Sequence, residues 1–170
     1  MMGERLAFQK KNGQKIAGKA YFAGVDKKYP TVIFAHGFGS NYRDLEHHGA
    51  GFAESGINCI FFDFCGGGLK SLSDGKMTQM TVLTEAEDLI EVISQVQQME
   101  NVDSDQLFIQ GESDNCVPIS YSEHAEKVYD NVKLIRISSA GHGFDGKDSQ
   151  FAREQSIEFI KKNLKQNFNY

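Results

Sequence analysis

The chain has 170 residues, 40% of them hydrophobic and 24% charged, which gives room for one well-cored domain and little length for a second. Its 18 Lys and Arg against 23 Asp and Glu leave a net charge of -5, which argues against nucleic acid as a partner because phosphate neutralisation needs clustered cations. No apolar run approaches the ~20 residues of a membrane span and the first 14 residues lack a signal-peptide core, so the expectation is a cytoplasmic protein with no membrane partner.

Residues 5–22 hold two β-like runs around Asn12-Gly13, a dipeptide that tolerates the positive φ of a tight turn. They predict an antiparallel hairpin. In its second arm Ile16, Gly18, Ala20 and Phe22 share one face, as suits the edge region of a larger sheet. A β-branched run at 31–35 ends in His36-Gly37-Phe38-Gly39, and a helix is expected over 41–54. His47-His48 lies in that helix and reads as a solvated face, since adjacent helical residues point about 100° apart and cannot share a metal.

The apolar run at 57–64 enters Cys65-Gly66-Gly67-Gly68. Those glycines lack both the spacing and the immediate helix of a phosphate loop, so no nucleotide is expected. A helix is predicted over 84–99, with Thr84 and Glu87 as its capping box. Its apolar stripe is Leu83, Ala86, Leu89, Ile90, Ile93 and Val96. A strand at 106–110, a turn at 111–118, a helix at 120–129, a strand at 132–137 and an amphipathic helix at 149–164 complete the order. Strands alternating with helices imply right-handed crossovers and a mostly parallel sheet covered on both sides, an α/β three-layer sandwich forming a single domain over 1–170. Cys59, Cys65 and Cys116 are an odd number at wide spacing, which reads as buried or incidental thiols; neither a metal nor another cofactor is expected.

In open α/β sheets ligands bind beyond the carboxyl ends of the strands. Four loops occupy such positions: 36–40, 63–68, 111–118 and 140–144. They supply hydroxyl, imidazole, carboxylate and backbone N–H groups, the inventory of acyl transfer. In this order the loops resemble those of the α/β-hydrolase superfamily, and within it the small serine esterases of the cinnamoyl and feruloyl esterase type. The resemblance implies that His36-Gly37-Phe38 is an oxyanion loop whose Phe38 N–H stabilises the developing charge. Asp63-Phe64-Cys65-Gly66-Gly67-Gly68, with Ser71 and Ser73-Asp74-Gly75, resembles a loop that is usually structural. Ala140-Gly141-His142-Gly143-Phe144 resembles the loop of the catalytic histidine.

Residues 111–118 resemble two motifs of the family at once. Gly111-Glu112-Ser113 matches the first half of Gly-x-Ser-x-Gly and makes Ser113 the nucleophile, although Asp114 and Asn115 then depart from the pattern. As Gly-x-x-Asp-x-x-Val-Pro, the same segment makes Asp114 the triad acid. The chain thus reads as shortened between the two motifs, without the central strands and lid that separate them in the family. An imidazole bridging hydroxyl and carboxylate holds their oxygens roughly 7 Å apart, whereas adjacent Cα atoms are about 3.8 Å apart, so Asp114 with His142 is the better-founded pair.

Two functional readings follow. One is a serine hydrolase for small carboxylic esters, with hydroxycinnamoyl esters as a candidate subclass, using Ser113, Asp114, His142 and the Phe38 N–H. The other is an inactive hydrolase-like scaffold that binds a partner or forms a homo-oligomer through sheet edges exposed by the shortening.

Overall fold

The computed structural model of the protein describes residues 3–111 and 146–166. The chain divides into two compact units, Met1–Glu112 and Ser113–Tyr170. The first unit is built on five strands: β1 (Glu4–Gln9), β2 (Lys15–Tyr21), β3 (Tyr29–Ala35), β4 (Asn58–Phe62) and β5 (Val102–Gly111). Their spatial order is β1-β2-β4-β3-β5. The pairs β1/β2 and β2/β4 are antiparallel, while β4/β3 and β3/β5 are parallel. The sheet is therefore mixed, with a hairpin attached to a parallel set of three.

The hairpin forms where its turn residues predict it. Gly13 adopts φ +88°, and the Gly13 N–H donates to the Lys10 carbonyl at 2.9 Å. Alternation along β2 buries Ile16, Gly18 and Ala20 on one face, as expected. That face joins Ile33, Ile60 and Phe62 in a core completed by Val92 and Val96 of helix α2 (Val82–Val96). Each such side chain, withdrawn from water, contributes on the order of 1.5–3 kcal/mol at most. On the opposite face Phe34 stacks on Phe61 at 4.8 Å and meets the edge of Phe52 from helix α1 (Gly49–Glu54) at 5.5 Å.

Four expectations need correction. The segment expected as a helix over 41–54 is two 3-10 turns, Tyr42–Asp44 and Glu46–His48, followed by the short α1. Asn41 and Asp44 close a capping box around the first turn, and glycines at 49 and 51 weaken helix propagation. Within it His48 is buried rather than solvated, its ring stacked on Phe34 at 5.8 Å. Helix α2 starts earlier than predicted, with Thr81 and Thr84 as its reciprocal cap in place of Thr84 and Glu87. Its buried line is Asp88, Val92 and Val96, while Leu83 (76%) and Ile90 (65%) are exposed.

Strand β5 contains the predicted 106–110 run and extends it, with a register shift where Tyr29 pairs Val102 and Thr31 pairs Leu107. In the second unit, helix α3 (Gly146–Gln166) contains the predicted 149–164 segment. The helix expected at 120–129, the strand expected at 132–137 and the turn beyond Gly111 lie outside the described residues. Among the described residues no helix is long and apolar enough to cross a membrane.

Candidate active site

The carboxyl ends of β3, β4 and β5 lie on one edge of the sheet because these strands are mutually parallel. Ala35, the last residue of β3, pairs with Gly111, the last of β5. The loop carrying Phe38 therefore leaves the sheet beside the carboxyl end of β5. Ser113, Asp114 and His142 themselves lie outside the described residues, and so does Cys116. Phe38 is described, and its side chain is 68% exposed.

Residues 37–40 form a tight turn closed by the Ser40 N–H donating to the Gly37 carbonyl at 3.1 Å. Gly39, at the third position of that turn, has φ +76°, the conformation that a type II turn requires there. Among the described residues, the Phe38 N–H meets no hydrogen-bond acceptor. Beyond the turn, Asp44 Oδ2 accepts from the Ser40 hydroxyl at 2.5 Å and from the Asn41 side-chain amide at 3.1 Å, which braces the loop on its own helical turn.

Asp63, just past β4, organises this end of the sheet. Its carboxylate is buried; Oδ1 accepts the Tyr42 N–H at 2.7 Å and Oδ2 accepts the Leu72 N–H at 2.8 Å. One side chain thus ties the loop after β3 to the loop after β4. The Asp63 carbonyl accepts the Ser73 hydroxyl at 2.5 Å, and Ser73 Oγ in turn accepts the Ala17 N–H at 2.8 Å. The structural role implied for this loop matches that bonding.

His36 is also buried, and its tautomer follows from its partners. Nδ1 lies 2.8 Å from the Gly37 carbonyl, which can only accept, while Nε2 accepts the Phe64 N–H at 3.1 Å. The ring is therefore neutral with its proton on Nδ1. Burial holds its pKa below the ordinary histidine value, outweighing the Gly37 carbonyl and the Asp63 and Asp44 carboxylates, which act in the other direction. Asp63 Oδ1 stands 3.8 Å from Nε2.

The three glycines back this arrangement at close quarters. A Cβ on Gly67 would come within 2.9 Å of His36 Cε1, and one on Gly68 within 3.1 Å of the Gly39 carbonyl. Gly66, at φ +73°, would place a Cβ 2.6 Å from the Lys76 carbonyl. The run serves close packing of one loop on another.

Asp88 is the residue that pattern reading missed. It sits fully buried on α2, where its Oδ2 accepts the Cys65 N–H at 2.7 Å and its Oδ1 pairs with the Lys10 ammonium. A carboxylate amid the apolar positions of a helix was the available signal. Cys65 is buried beside it and its thiol is pushed up to about 12, first by burial and then by the Asp88 charge. Burial alone raises Cys59 further. Among the described residues, no three His, Cys, Asp or Glu side chains gather as a metal site requires.

No protein-family model matches the chain. No curated protein matches it either. Solved structures do. It is similar to DcsB in complex with its substrate analogue, at 26% identity and a TM-score of 0.59 over 66% of this chain and 38% of that one. It is similar to Est1E from Butyrivibrio proteoclasticus with ferulic acid bound, at 21% identity and a TM-score of 0.55 over 62% of this chain and 42% of that one. The α/β hydrolase GrgF from Penicillium sp. sh18 matches at 16% identity and a TM-score of 0.55, over 96% of this chain and 68% of that one. The chain spans 38% and 42% of the first two structures. These likenesses show the fold, part of an α/β-hydrolase architecture.

Proposed function

We propose that the chain is a serine hydrolase of small carboxylic esters, shortened between its nucleophile and acid motifs and lacking the central strands and lid of larger relatives. Ser113 Oγ attacks the ester carbonyl carbon while His142 takes the hydroxyl proton, and the carbonyl electron pair moves onto oxygen. The Phe38 N–H and a neighbouring amide stabilise that oxyanion. Its collapse expels the alcohol, which leaves with the proton from His142, and water then releases the acid from Ser113 by the same sequence. Asp114 orients His142 from the ring nitrogen opposite Ser113 Oγ, which requires the two neighbouring side chains to point apart so that their oxygens span the roughly 7 Å of a bridged imidazole. No cofactor enters the reaction.

One observation carries the reading: the pairing of Ala35 with Gly111. Phe38 follows Ala35 by three residues and Ser113 follows Gly111 by two, with Cα steps of about 3.8 Å, so donor and nucleophile start from neighbouring strand ends. The Phe38 N–H, which has no acceptor among the described residues, supports the same assignment. Est1E was solved with ferulic acid bound, which makes hydroxycinnamoyl esters the first subclass to try.

A fluorophosphonate probe tests the proposal directly. The folded chain should be labelled at Ser113 and should hydrolyse p-nitrophenyl acetate, and both should vanish in Ser113→Ala. An unlabelled folded chain, or equal labelling of the variant, overturns it and leaves the inactive scaffold as the reading.

A further inference from the structure

The peptide joining Gly37 to Phe38 has two ends with different partners. A trans peptide is planar, so its C=O and N–H point in opposite directions and cannot be turned independently. The Gly37 carbonyl is gripped by two donors, Nδ1–H of His36 at 2.8 Å and the Ser40 N–H at 3.1 Å. The Ser40 bond closes the turn but comes from the same loop and moves with it. The His36 ring is anchored elsewhere, because Nε2 accepts the Phe64 N–H beyond β4 at 3.1 Å and the ring packs edge-on against Phe64 at 5.1 Å. Gly67 leaves that ring no slack, since even a Cβ there would press on Cε1.

We infer that His36 is a positioning residue that aims the Phe38 N–H, by holding the opposite end of the same peptide unit against the sheet. The inference rests on the reading of Phe38 as the oxyanion donor. His36 touches no substrate and exchanges no proton in the reaction. Its neutral Nδ1–H tautomer is essential, because a proton on Nε2 would face the Phe64 N–H donor to donor. Such a proton would also compete with the Tyr42 N–H for Asp63 Oδ1, the carboxylate oxygen 3.8 Å from that nitrogen. The acidic groups acting on the ring are Asp63 at the end of β4 and Asp44 on the helical turn after the loop.

Two substitutions separate the ring's two jobs. In His36→Asn the side-chain amide nitrogen falls near Nδ1 and still donates to the Gly37 carbonyl. In His36→Gln the amide oxygen reaches the Nε2 position and accepts the Phe64 N–H, but the donor to Gly37 is gone. With p-nitrophenyl acetate as substrate, His36→Gln should lower kcat about tenfold or more at unchanged KM, a part of what deleting an oxyanion donor costs, and His36→Asn should recover most of it. Thermal melts on both variants identify any loss due to unfolding, and ¹⁵N NMR of the wild-type imidazole should show the proton on Nδ1.

Equal kcat in wild type and His36→Gln, or equal losses in both variants that follow their melting temperatures, overturns the inference. So does a proton on Nε2. A wild-type chain that neither turns over the ester nor labels at Ser113 overturns the hydrolase reading, and this inference falls with it. Labelling and turnover in wild type with a flat His36 series overturns the inference alone.

Discussion

Ala35 and Gly111 are direct partners at the carboxyl ends of two parallel strands, although 76 positions apart in sequence (111 minus 35). Their pairing sets the Phe38 turn beside the carboxyl end of β5. The chemistry proposed for this edge depends on that one register, and the Phe38 amide is its most direct test.

Phe38→Pro deletes the Phe38 N–H while suiting the turn, because proline favours the second position of a type II turn. The expected result is a kcat for p-nitrophenyl acetate lower by about a hundredfold to a thousandfold with a melting temperature close to wild type, as for loss of one oxyanion donor. Unchanged kcat would remove Phe38 from the mechanism.

Buried Asp88 pairs with the half-buried Lys10 and also accepts the Cys65 N–H. Asp88→Ala leaves the ammonium with little solvent and the Cys65 N–H without its acceptor, so urea denaturation should show a loss of about 3 kcal/mol or more. Lys10→Met combined with Asp88→Leu should cost less than the two single changes added together, because neither charge is then stranded. Strict additivity would show that the pair is not coupled.

The thiols of Cys59 and Cys65 are pushed up by burial, Cys65 to about 12, and thiolate is the reactive form. In a Cys116→Ser background, the native protein should resist an aromatic disulfide reagent at roughly pH 8 and release two equivalents, one from each remaining thiol, only when denaturant is added. Rapid native reaction would contradict the burial of both.

His36 gives stability a pH dependence of definite sign. Burial lowers its folded pKa beneath the ordinary value of 6.5, so above that value the ring is neutral whether the chain is folded or not. As pH falls below it, the unfolded chain takes up a proton that the folded one refuses, and stability is lost until the folded value is passed. Urea midpoints at roughly pH 7 and roughly pH 5 should therefore differ more in wild type than in His36→Asn, which cannot titrate. Equal differences would remove His36 as the source.

Much of the fold is legible in local chemistry. Asn12-Gly13 marks the hairpin turn because glycine accepts the positive φ found there, and alternation along residues 16–22 marks its buried face. Helix α2 is legible as a helix but not in detail. Thr81 and Thr84 stand three apart, as do Thr84 and Glu87, and only the later pair has the acidic third residue of the usual capping box, so local chemistry favours the later start. The earlier one forms even though it leaves Val82 and Leu83 exposed. Hydropathy places Leu83 and Ile90 inside and Asp88 outside; the structure reverses these placements, and Lys10 with the Cys65 N–H compensates the buried carboxylate. His48 is misjudged for a similar reason, since the ring that buries it, Phe34, belongs to another element.

By itself the sequence determined the Asn12-Gly13 hairpin, the strands that follow it and the presence of helices α2 and α3, because turn propensity and periodicity act between residues a few positions apart. Tertiary structure alone decided that β5 lies beside β3, that Asp63 ties the Tyr42 and Leu72 amides together, and that His36 Nε2 accepts the Phe64 N–H. Those bonds join segments whose backbone donors and acceptors are chemically alike along the whole chain, so only packing selects which of them meet.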